Sequence, residues 1–347
     1  MAVTHFDLPK PIDQARLDQL GAALGKGPAL ILTHDSPDPD ALASGMGLAA
    51  LFKHAFGVPS RLVYSGLVAR AENRAVLNLL TPDWQAEESL PDLSAYSAVA
   101  LVDTQPGAGN NRFPIERSPD IVIDHHYPRW EYLRPVKFVD IRQELGATAS
   151  LVFQYLEAAN IPPDPILATA LFYGLQTDTR GLARDASKED EMIYMKLLTW
   201  IDRPRLARVE QAGLSRDYFQ AFNQGLEAAR VYGRCITAFL GEMHRPDLAA
   251  EMADVLIRLE SARAALCLGS FGGNLQLSLR TESSGQDAGL IVQKVIEGQG
   301  SAGGHGTTAG GQTPLAERDP AELADVFIKR FLEIMGEKGN GAPLIKS

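Results

Sequence analysis

The feature that most constrains this fold is a series of short, continuous apolar runs that each stop at a polar or acidic residue. Ala29–Leu32, Ala98–Val102 and Ile121–Ile123 are such runs, and helix-like segments alternate with strand-like ones along this half of the chain. A strand without polar alternation is buried on both faces, which is typical of parallel sheets covered by helices. The pattern therefore predicts an α/β fold with a mainly parallel N-terminal sheet, whose ligands would bind at the carboxyl ends of the strands.

The remaining segments predict two domains, each long enough to bury its own core in a chain of 347 residues. Besides a strand at Arg61–Tyr64, the N-terminal part should hold the helices Ile12–Leu24, Ala41–His54, Glu72–Leu80, Gly146–Asn160, Pro165–Leu175 and Lys188–Trp200. From about residue 233, we expect the strands Arg234–Phe239, Ala264–Leu268 and Leu275–Leu279 and the helices Pro246–Leu259 and Asp287–Glu297. We predict a larger α/β domain over residues 1–205, a helical linker over 206–232 with one long helix at Ser215–Tyr232, a smaller α/β domain over 233–335 and a flexible tail over 336–347.

The charge balance and the lack of long apolar segments exclude several classes of protein. The formal net charge of −10 argues against a surface for long nucleic acids or anionic membranes, because phosphates repel a negative field. No stretch of 18 uncharged apolar residues and no signal-peptide pattern is found, so we expect a cytoplasmic protein without a membrane span. Cys235 and Cys267 lack a CxxC pattern and are expected to be reduced core thiols.

A first group of candidate ligands follows the first apolar run, in Thr33-His34-Asp35-Ser36-Pro37-Asp38-Pro39-Asp40. A loop between a buried strand and a helix can direct side chains into one crevice, and an imidazole followed by two carboxylates suits divalent cations. Asp38 and Asp40 can also be read as ordinary loop and helix-capping residues. His34, at the end of the apolar run, favours the metal interpretation.

Three later segments supply further candidates. Asp103 ends one buried strand, Asp124-His125-His126 ends another, and Asp178 lies at a predicted helix end, where a carboxylate opposes the helix dipole unless a cation is near. A purely structural pair of histidines is the alternative reading of the triplet. The resulting set of metal ligands is His34, Asp38, Asp40, Asp103, His125 and Asp178.

Six oxygen-rich ligands are too many for one ion that keeps an open coordination position. They suit two ions about 3.5–4 Å apart, joined by a bridging carboxylate, which is a geometry that activates water and binds a phosphoryl group. Carboxylates with two imidazoles favour manganese or magnesium over zinc.

The motifs, in this order, resemble those of the DHH phosphoesterase superfamily. His34, Asp38 and Asp40 match the first motif, Asp103 the second, Asp124-His125-His126 the third and Asp178 the fourth. Residues 300–311, Gly-Ser-Ala-Gly-Gly-His-Gly-Thr-Thr-Ala-Gly-Gly, resemble the Gly-rich signature of the DHHA1 domain, although Ala302, Gly306 and Thr308 depart from it.

The resemblance implies roles for these residues. His34, Asp38 and Asp103 would hold one manganese, and Asp40, Asp103, His125 and Asp178 the other, with magnesium or cobalt as substitutes. His126 would contact a substrate phosphate, and Asp103, Asp124 and His126 are the expected catalytic residues. A Gly-rich loop with Gly303, Gly304, His305, Ala309 and Gly310 would bind the nucleotide end, together with Arg280, which can also be read as a surface arginine. The segment Asn73-Arg74 resembles one that recurs in related proteins, without an assigned role.

These observations predict a manganese-dependent phosphoesterase for short nucleotides, similar to the nanoRNase and pAp-phosphatase branch. Expected substrates are short oligoribonucleotides, pAp and linear or cyclic dinucleotides, with a cleft between the domains selecting their length. A RecJ-like single-strand exonuclease is the enzymatic alternative, disfavoured because only a short tail follows residue 335. A nucleotide-binding regulator without catalysis is the other alternative, and a homodimer is left open.

Overall fold

The computed structural model describes residues 12–127, 135–282 and 287–345 and divides into two compact units. Unit one is Met1–Ala212 and unit two is Gly213–Ser347. In the described ranges, no helix combines the length and the apolar character needed to cross a bilayer.

Unit one is built around a six-stranded, entirely parallel sheet in the order β3-β2-β1-β4-β5-β6. The strands are β1 Ala29–Leu32, β2 Ser60–Tyr64, β3 Trp84–Ala86, β4 Ala98–Val102, β5 Ile121–Asp124 and β6 Phe138–Ile141. The helices are α1 Gln14–Leu24, α2 Pro39–Phe56, α3 Ala71–Leu79, α4 Thr148–Ala158, α5 Pro165–Asp178, α6 Lys188–Leu198 and α7 Arg203–Glu210, with a short 3-10 turn at Leu93–Ala95. The predicted parallel α/β sheet is confirmed.

The strand order reverses between β1 and β4, because β2 and β3 lie to one side of β1 while β5 and β6 lie beyond β4. Alternate residues of the central strands enter two different cores: Ile31 and Ala100 pack in the larger one, Leu30 and Leu101 in the smaller one. Open parallel sheets bind ligands outside the carboxyl ends of the strands at such a reversal. The segments that follow β1 and β4 therefore occupy the position expected for a functional site.

Unit two contains a seven-stranded sheet in the order β11-β12-β10-β9-β8-β7-β13, in which β8 and β9 form the one parallel pair among the described residues. The strands are β7 Arg230–Tyr232, β8 Cys235–Glu242, β9 Ala264–Phe271, β10 Asn274–Thr281, β11 Ser301–His305, β12 Thr308–Pro314 and β13 Ala342–Pro343. The helices are α8 Arg216–Ala228, α9 Leu248–Leu256, α10 Ala288–Ile296 and α11 Pro320–Met335. Cys235 and Cys267 are free and buried in this unit.

The helix predicted at Ser215–Tyr232 is present but ends earlier, because α8 spans Arg216–Ala228 and residues 230–232 form β7. Helix α7 ends at Glu210, so α7 and α8 are two separate helices. Gly213 lies in the break, and the hydroxyl of Ser215 accepts a hydrogen bond from the Tyr218 amide, which starts a new helix. A serine cap of this kind satisfies an amide that a continuous helix would have bonded to its own carbonyl.

The Gly-rich segment is a β-hairpin and not the expected loop. β11 and β12 pair antiparallel, with Ala302 opposite Gly311 and Gly304 opposite Ala309. Gly304 has a φ of 142°, and a Cβ there would lie 2.4 Å from the Cα of Ala309. Glycine therefore permits a close backbone approach within this hairpin.

Part of the tail predicted over residues 336–347 pairs with the second sheet. Ala342 and Pro343 form β13 at the edge of the second sheet, opposite Val231 and Arg230. The Leu344 amide donates to the Ala229 carbonyl at 3.1 Å, and its half-buried side chain packs on the core beneath β8 and α9. Apolar burial and backbone pairing together order this segment, and neither is visible as local periodicity.

Replacing Leu344 with alanine should lower the local unfolding free energy around β7 by about 1–2 kcal/mol, because a half-buried leucine loses part of its apolar contact area. Hydrogen exchange of the amides in Arg230–Tyr232, read by mass spectrometry, would measure this change. Ile345→Ala is the matched control, since Ile345 is 47% exposed and should change the value by less than about 0.5 kcal/mol. Equal effects of the two substitutions would contradict the ordered edge strand.

Candidate metal centre

The turn from β1 into α2 positions the first three candidate ligands. His34 follows β1, and its Nδ1 lies 2.9 Å from the Asp35 carbonyl oxygen, which orients the ring. Asp38 is the N-cap of α2 and accepts a hydrogen bond from the Ala41 amide at 3.1 Å. The capping reading of Asp38 is thus correct, and the same carboxylate still lies 3.9 Å from His34 Nε2.

Asp40 lies in the first turn of α2 and is fully buried. Its Oδ2 accepts from the Thr148 amide at 2.7 Å and its Oδ1 from the Ala149 amide at 2.8 Å. These are the first amides of α4, whose N-cap residue, Ala147, has no side chain able to bond them. Asp40 therefore caps α4 from another helix, and the dipole of α4 favours its charged form.

Asp103 follows β4 and adopts a left-handed backbone conformation with a φ of 58°. Its amide donates to the Ile123 carbonyl at 2.9 Å. Oδ2 lies 3.6 Å from His34 Nε2, whereas Oδ1 lies 3.7 Å from His125 Nε2. The two oxygens of one buried carboxylate thus approach two different imidazoles, which is the arrangement that a bridging ligand requires.

Asp124, His125 and His126 end β5, and their side chains have different surroundings. Asp124 is fully buried and its Oδ1 lies 2.8 Å from His126 Nδ1. His125 Nδ1 lies 3.1 Å from the Leu145 carbonyl, which leaves Nε2 directed toward Asp103 and Asp178. The His126 side chain is 43% exposed, so it is the member of the triplet that is accessible to a ligand.

Asp178 is the last residue of α5, and its Oδ2 lies 3.3 Å from His125 Nε2. The approach of α5 to α2 depends on Gly174, one turn earlier. A Cβ on Gly174 would lie 3.0 Å from the Asp40 Cα and 3.2 Å from the Pro39 carbonyl. A larger residue would push α5, and with it Asp178, away from the first turn of α2.

The structure brings the six predicted ligands together in two groups. Within each group, one ligand atom from each residue lies within 4.8 Å of those of the other residues. The His34 cluster comprises His34, Asp38 and Asp103, and the His125 cluster comprises Asp40, His125 and Asp178. Among the described residues, His125 Nε2 is buried without a hydrogen-bond partner, which is costly for a polar atom unless it binds something else. An imidazole with this orphaned nitrogen, held beside carboxylates, fits a divalent cation.

The electrostatics of the two clusters agree with this fit. Burial alone would lower the pKa of His34, but hydrogen bonding to Asp103 and Asp38 outweighs it and raises that pKa. Burial would also lower the pKa of His125, but the nearby carboxylates of Asp178 and Asp103 outweigh burial and raise that pKa. Burial and then the charges of Asp103 and Asp178 raise the pKa of Asp40. Without a cation, protons are thus the counter-charge that these carboxylates attract.

Two supporting residues were not anticipated from the sequence. The side-chain amide of Gln105 donates from Nε2 to Asp124 Oδ2 at 2.6 Å, and the Thr148 hydroxyl donates to Asp103 Oδ1 at 2.7 Å. Gln105 lies two residues after Asp103, a predicted ligand, so its position in the sequence could have indicated a supporting role. Thr148 lies 45 residues from Asp103, and no local pattern connects the two.

The residues predicted to bind substrate in unit two lie on its edge hairpin and on β10. Gly303, Gly304 and His305 belong to β11, and Ala309 and Gly310 to β12. Arg280, on β10, is buried, and its Nε donates to Asp254 Oδ1 at 2.6 Å. The alternative reading of Arg280 as a surface arginine is therefore wrong, and its role toward substrate stays a prediction.

Binding of Mn²⁺ at neutral pH should release protons, because the raised pKa values of His34 and His125 favour protonated rings without metal and ligating nitrogens must be deprotonated. Apparent affinity should therefore fall as the pH falls from 8 to 6, by about tenfold per unit for each displaced proton. Calorimetric titration in two buffers of different ionisation enthalpy measures the release. His34→Gln should reduce it and His54→Gln, an exposed control in α2, should not; binding without proton release would refute the assignment.

Comparison with known proteins shows what most of this centre is similar to. Residues 28–175 match the DHH family, N-terminal domain. An uncharacterized protein of Methanocaldococcus jannaschii is 36% identical over 323 residues, covering 90% of this chain and 65% of that protein. The cyclic-di-AMP phosphodiesterase PdeA of Listeria monocytogenes is 23% identical over 317 residues, covering 81% of this chain and 44% of PdeA.

A solved structure extends the likeness to both units. The crystal structure of an exopolyphosphatase-related protein from Bacteroides fragilis matches with a TM-score of 0.74 at 17% identity, covering 95% of this chain and 99% of that one. At this identity the match shows the fold. The family match over residues 28–175 relates that part of unit one to the DHH family.

Proposed function

We propose that the chain is a hydrolase that cleaves phosphodiester or phosphomonoester bonds of short nucleotides with the help of two divalent cations. The observation that carries this proposal is the Asp103 carboxylate, whose two oxygens approach the imidazoles of the His34 cluster and the His125 cluster separately. The match of residues 28–175 to the DHH family, together with the motifs that resemble the DHH phosphoesterase superfamily, supports the reaction class. The name of the Listeria relative, a cyclic-di-AMP phosphodiesterase, supports a nucleotide substrate.

The cations would be manganese, with magnesium or cobalt as substitutes. His34 and Asp38 would hold one ion, Asp40, His125 and Asp178 the other, and Asp103 would bridge them. When bound, such a pair lowers the pKa of a water molecule and offsets charge on phosphate oxygens. The chain itself fixes the ligands in advance, because amides of α4 hold Asp40 and the Leu145 carbonyl orients the His125 ring.

His126 is proposed to contact a phosphate oxygen of the substrate. Burial would lower its pKa, but hydrogen bonding to Asp124 and the charge of Asp103 outweigh this and raise it, which favours a cationic ring. A cationic imidazole stabilises the negative charge that develops on a phosphoryl group. Asp124 has no exposed surface, so we assign it to positioning His126, with Gln105 holding its second oxygen.

Unit two would bind one end of the nucleotide. Its β11 is an edge strand, and an edge strand has backbone amides that are not used by a neighbouring strand on its outer side. Amides in a glycine-rich segment can approach an anion closely. We therefore propose that Arg280 and the hairpin residues Gly303, Gly304, His305, Ala309 and Gly310 bind the substrate.

Short nucleotides are the proposed substrate class, comprising oligoribonucleotides of a few residues, pAp and linear or cyclic dinucleotides. The net charge of −10 disfavours a continuous surface for a long polymer. A RecJ-like exonuclease and a non-catalytic nucleotide-binding regulator are the two alternatives. A cytoplasmic location and a homodimer stay predictions.

A manganese-supplemented assay on those substrates, with products resolved by chromatography, tests the proposal. The chain should hydrolyse at least one short nucleotide, and Asp103→Asn should lower kcat by about 10³-fold or more, since an amide cannot bridge two cations. Asparagine tolerates the left-handed backbone at this position, so the fold should persist. Circular dichroism of the variant would verify this.

Asp202→Asn is the matched control, because Asp202 is a helix cap outside the two clusters and asparagine caps equally well. Its activity should equal that of the unmodified chain. Processive degradation of long single strands in preference to short ones would favour the exonuclease. Tight nucleotide binding without turnover in manganese, magnesium or cobalt would favour the regulator and refute the hydrolase.

A further inference from the structure

Thr148 joins the two clusters at a single residue. Its backbone amide donates to Asp40 Oδ2 at 2.7 Å, and its hydroxyl donates to Asp103 Oδ1 at 2.7 Å. Asp40 belongs to the His125 cluster, whereas Asp103 lies in reach of both. Thr148, at the start of α4, therefore contacts Asp40, a proposed ligand of one ion, and Asp103, the proposed bridging ligand.

The Thr148 hydroxyl also determines which way the Asp103 carboxylate faces. Asp103 is anchored through its amide to Ile123, but this bond leaves the side-chain torsions of Asp103 unspecified. The Thr148 hydroxyl holds Oδ1 on the side of His125, which directs Oδ2 toward His34 Nε2 at 3.6 Å. Thr148 is fully buried, so no exchange with solvent competes for its hydroxyl.

We propose that Thr148 is a positioning residue that holds Asp103 in the bridging orientation. The inference rests on the proposed two-cation function and adds a residue outside the metal ligands. Residues that orient metal ligands contribute about 10–100-fold to metal affinity or activity when their bonds are removed. The Thr148 hydroxyl donates to the Asp103 carboxylate, and the Thr148 backbone amide donates to the Asp40 carboxylate. Every residue type except proline retains that amide.

Thr148→Val keeps the shape and the amide but removes the hydroxyl, and Thr148→Ser keeps the hydroxyl but removes the methyl group. Thr148→Val should weaken the second Mn²⁺ by about 10–100-fold in calorimetric titration and lower kcat similarly, with KM for the nucleotide within about threefold. Thr148→Ser should restore both values to within about threefold. Electron paramagnetic resonance should detect magnetically coupled manganese in the Ser variant and less of it in the Val variant at equal metal loading.

Ser150→Ala is the matched control. Ser150 is also fully buried in α4, and its hydroxyl has no hydrogen-bond partner within the part of the chain that the structure describes, so its loss should leave both metal affinities unchanged. A purely structural role of Thr148 predicts that Val lowers the melting temperature while the second Mn²⁺ binds as in the unmodified chain, and this result would overturn the inference. Failure of the unmodified chain to bind two ions would instead refute the proposed function, so the two failures are distinguishable.

Discussion

Repulsion among carboxylates that are gathered at one edge of the parallel sheet is the constraint on which unit one depends. Burial, and with it the charges of neighbouring carboxylates such as Asp103, raises the pKa of Asp40 and of Asp178. The fold counters this with donors that are already in place: the first amides of α4 for Asp40, the Thr148 hydroxyl for Asp103 and the Gln105 amide for Asp124. The protein itself thus holds the proposed ligands in position, which would limit the reorganisation that cation binding requires.

The proposed ligands could be predicted because they lie at or near the ends of strongly encoded elements. Continuous apolar runs identify β1 and β4 without knowledge of their neighbours, and polar side chains placed after them must lie at the ligand-binding edge of a parallel sheet. Asp178 lies on a helix, and it was identified because the motifs occur in the same order as in the DHH superfamily. The candidate ligands could therefore be identified from their positions in the sequence.

Other elements escaped prediction because their stability comes from distant partners. β6 has an alternating burial pattern with Asp140 in its middle, and β13 consists of two exposed residues that pair with β7. The hairpin of β11 and β12 has glycines where strands usually have branched side chains, so β propensity pointed away from it. Thr148 was missed for the same reason, since its importance lies in a contact with a residue far away in the sequence.

The wide spacing of the ligands has a consequence for how the centre is assembled during synthesis. His34 and Asp178 are separated by most of unit one, and Asp40 acquires its amide donors only after α4 has formed against α2. Contacts between such distant parts of a chain form late in folding, since closing long loops costs entropy first. A nascent chain therefore lacks the complete proposed centre until α5 has emerged and docked, so a cation that needs all six proposed ligands would bind only the folded unit.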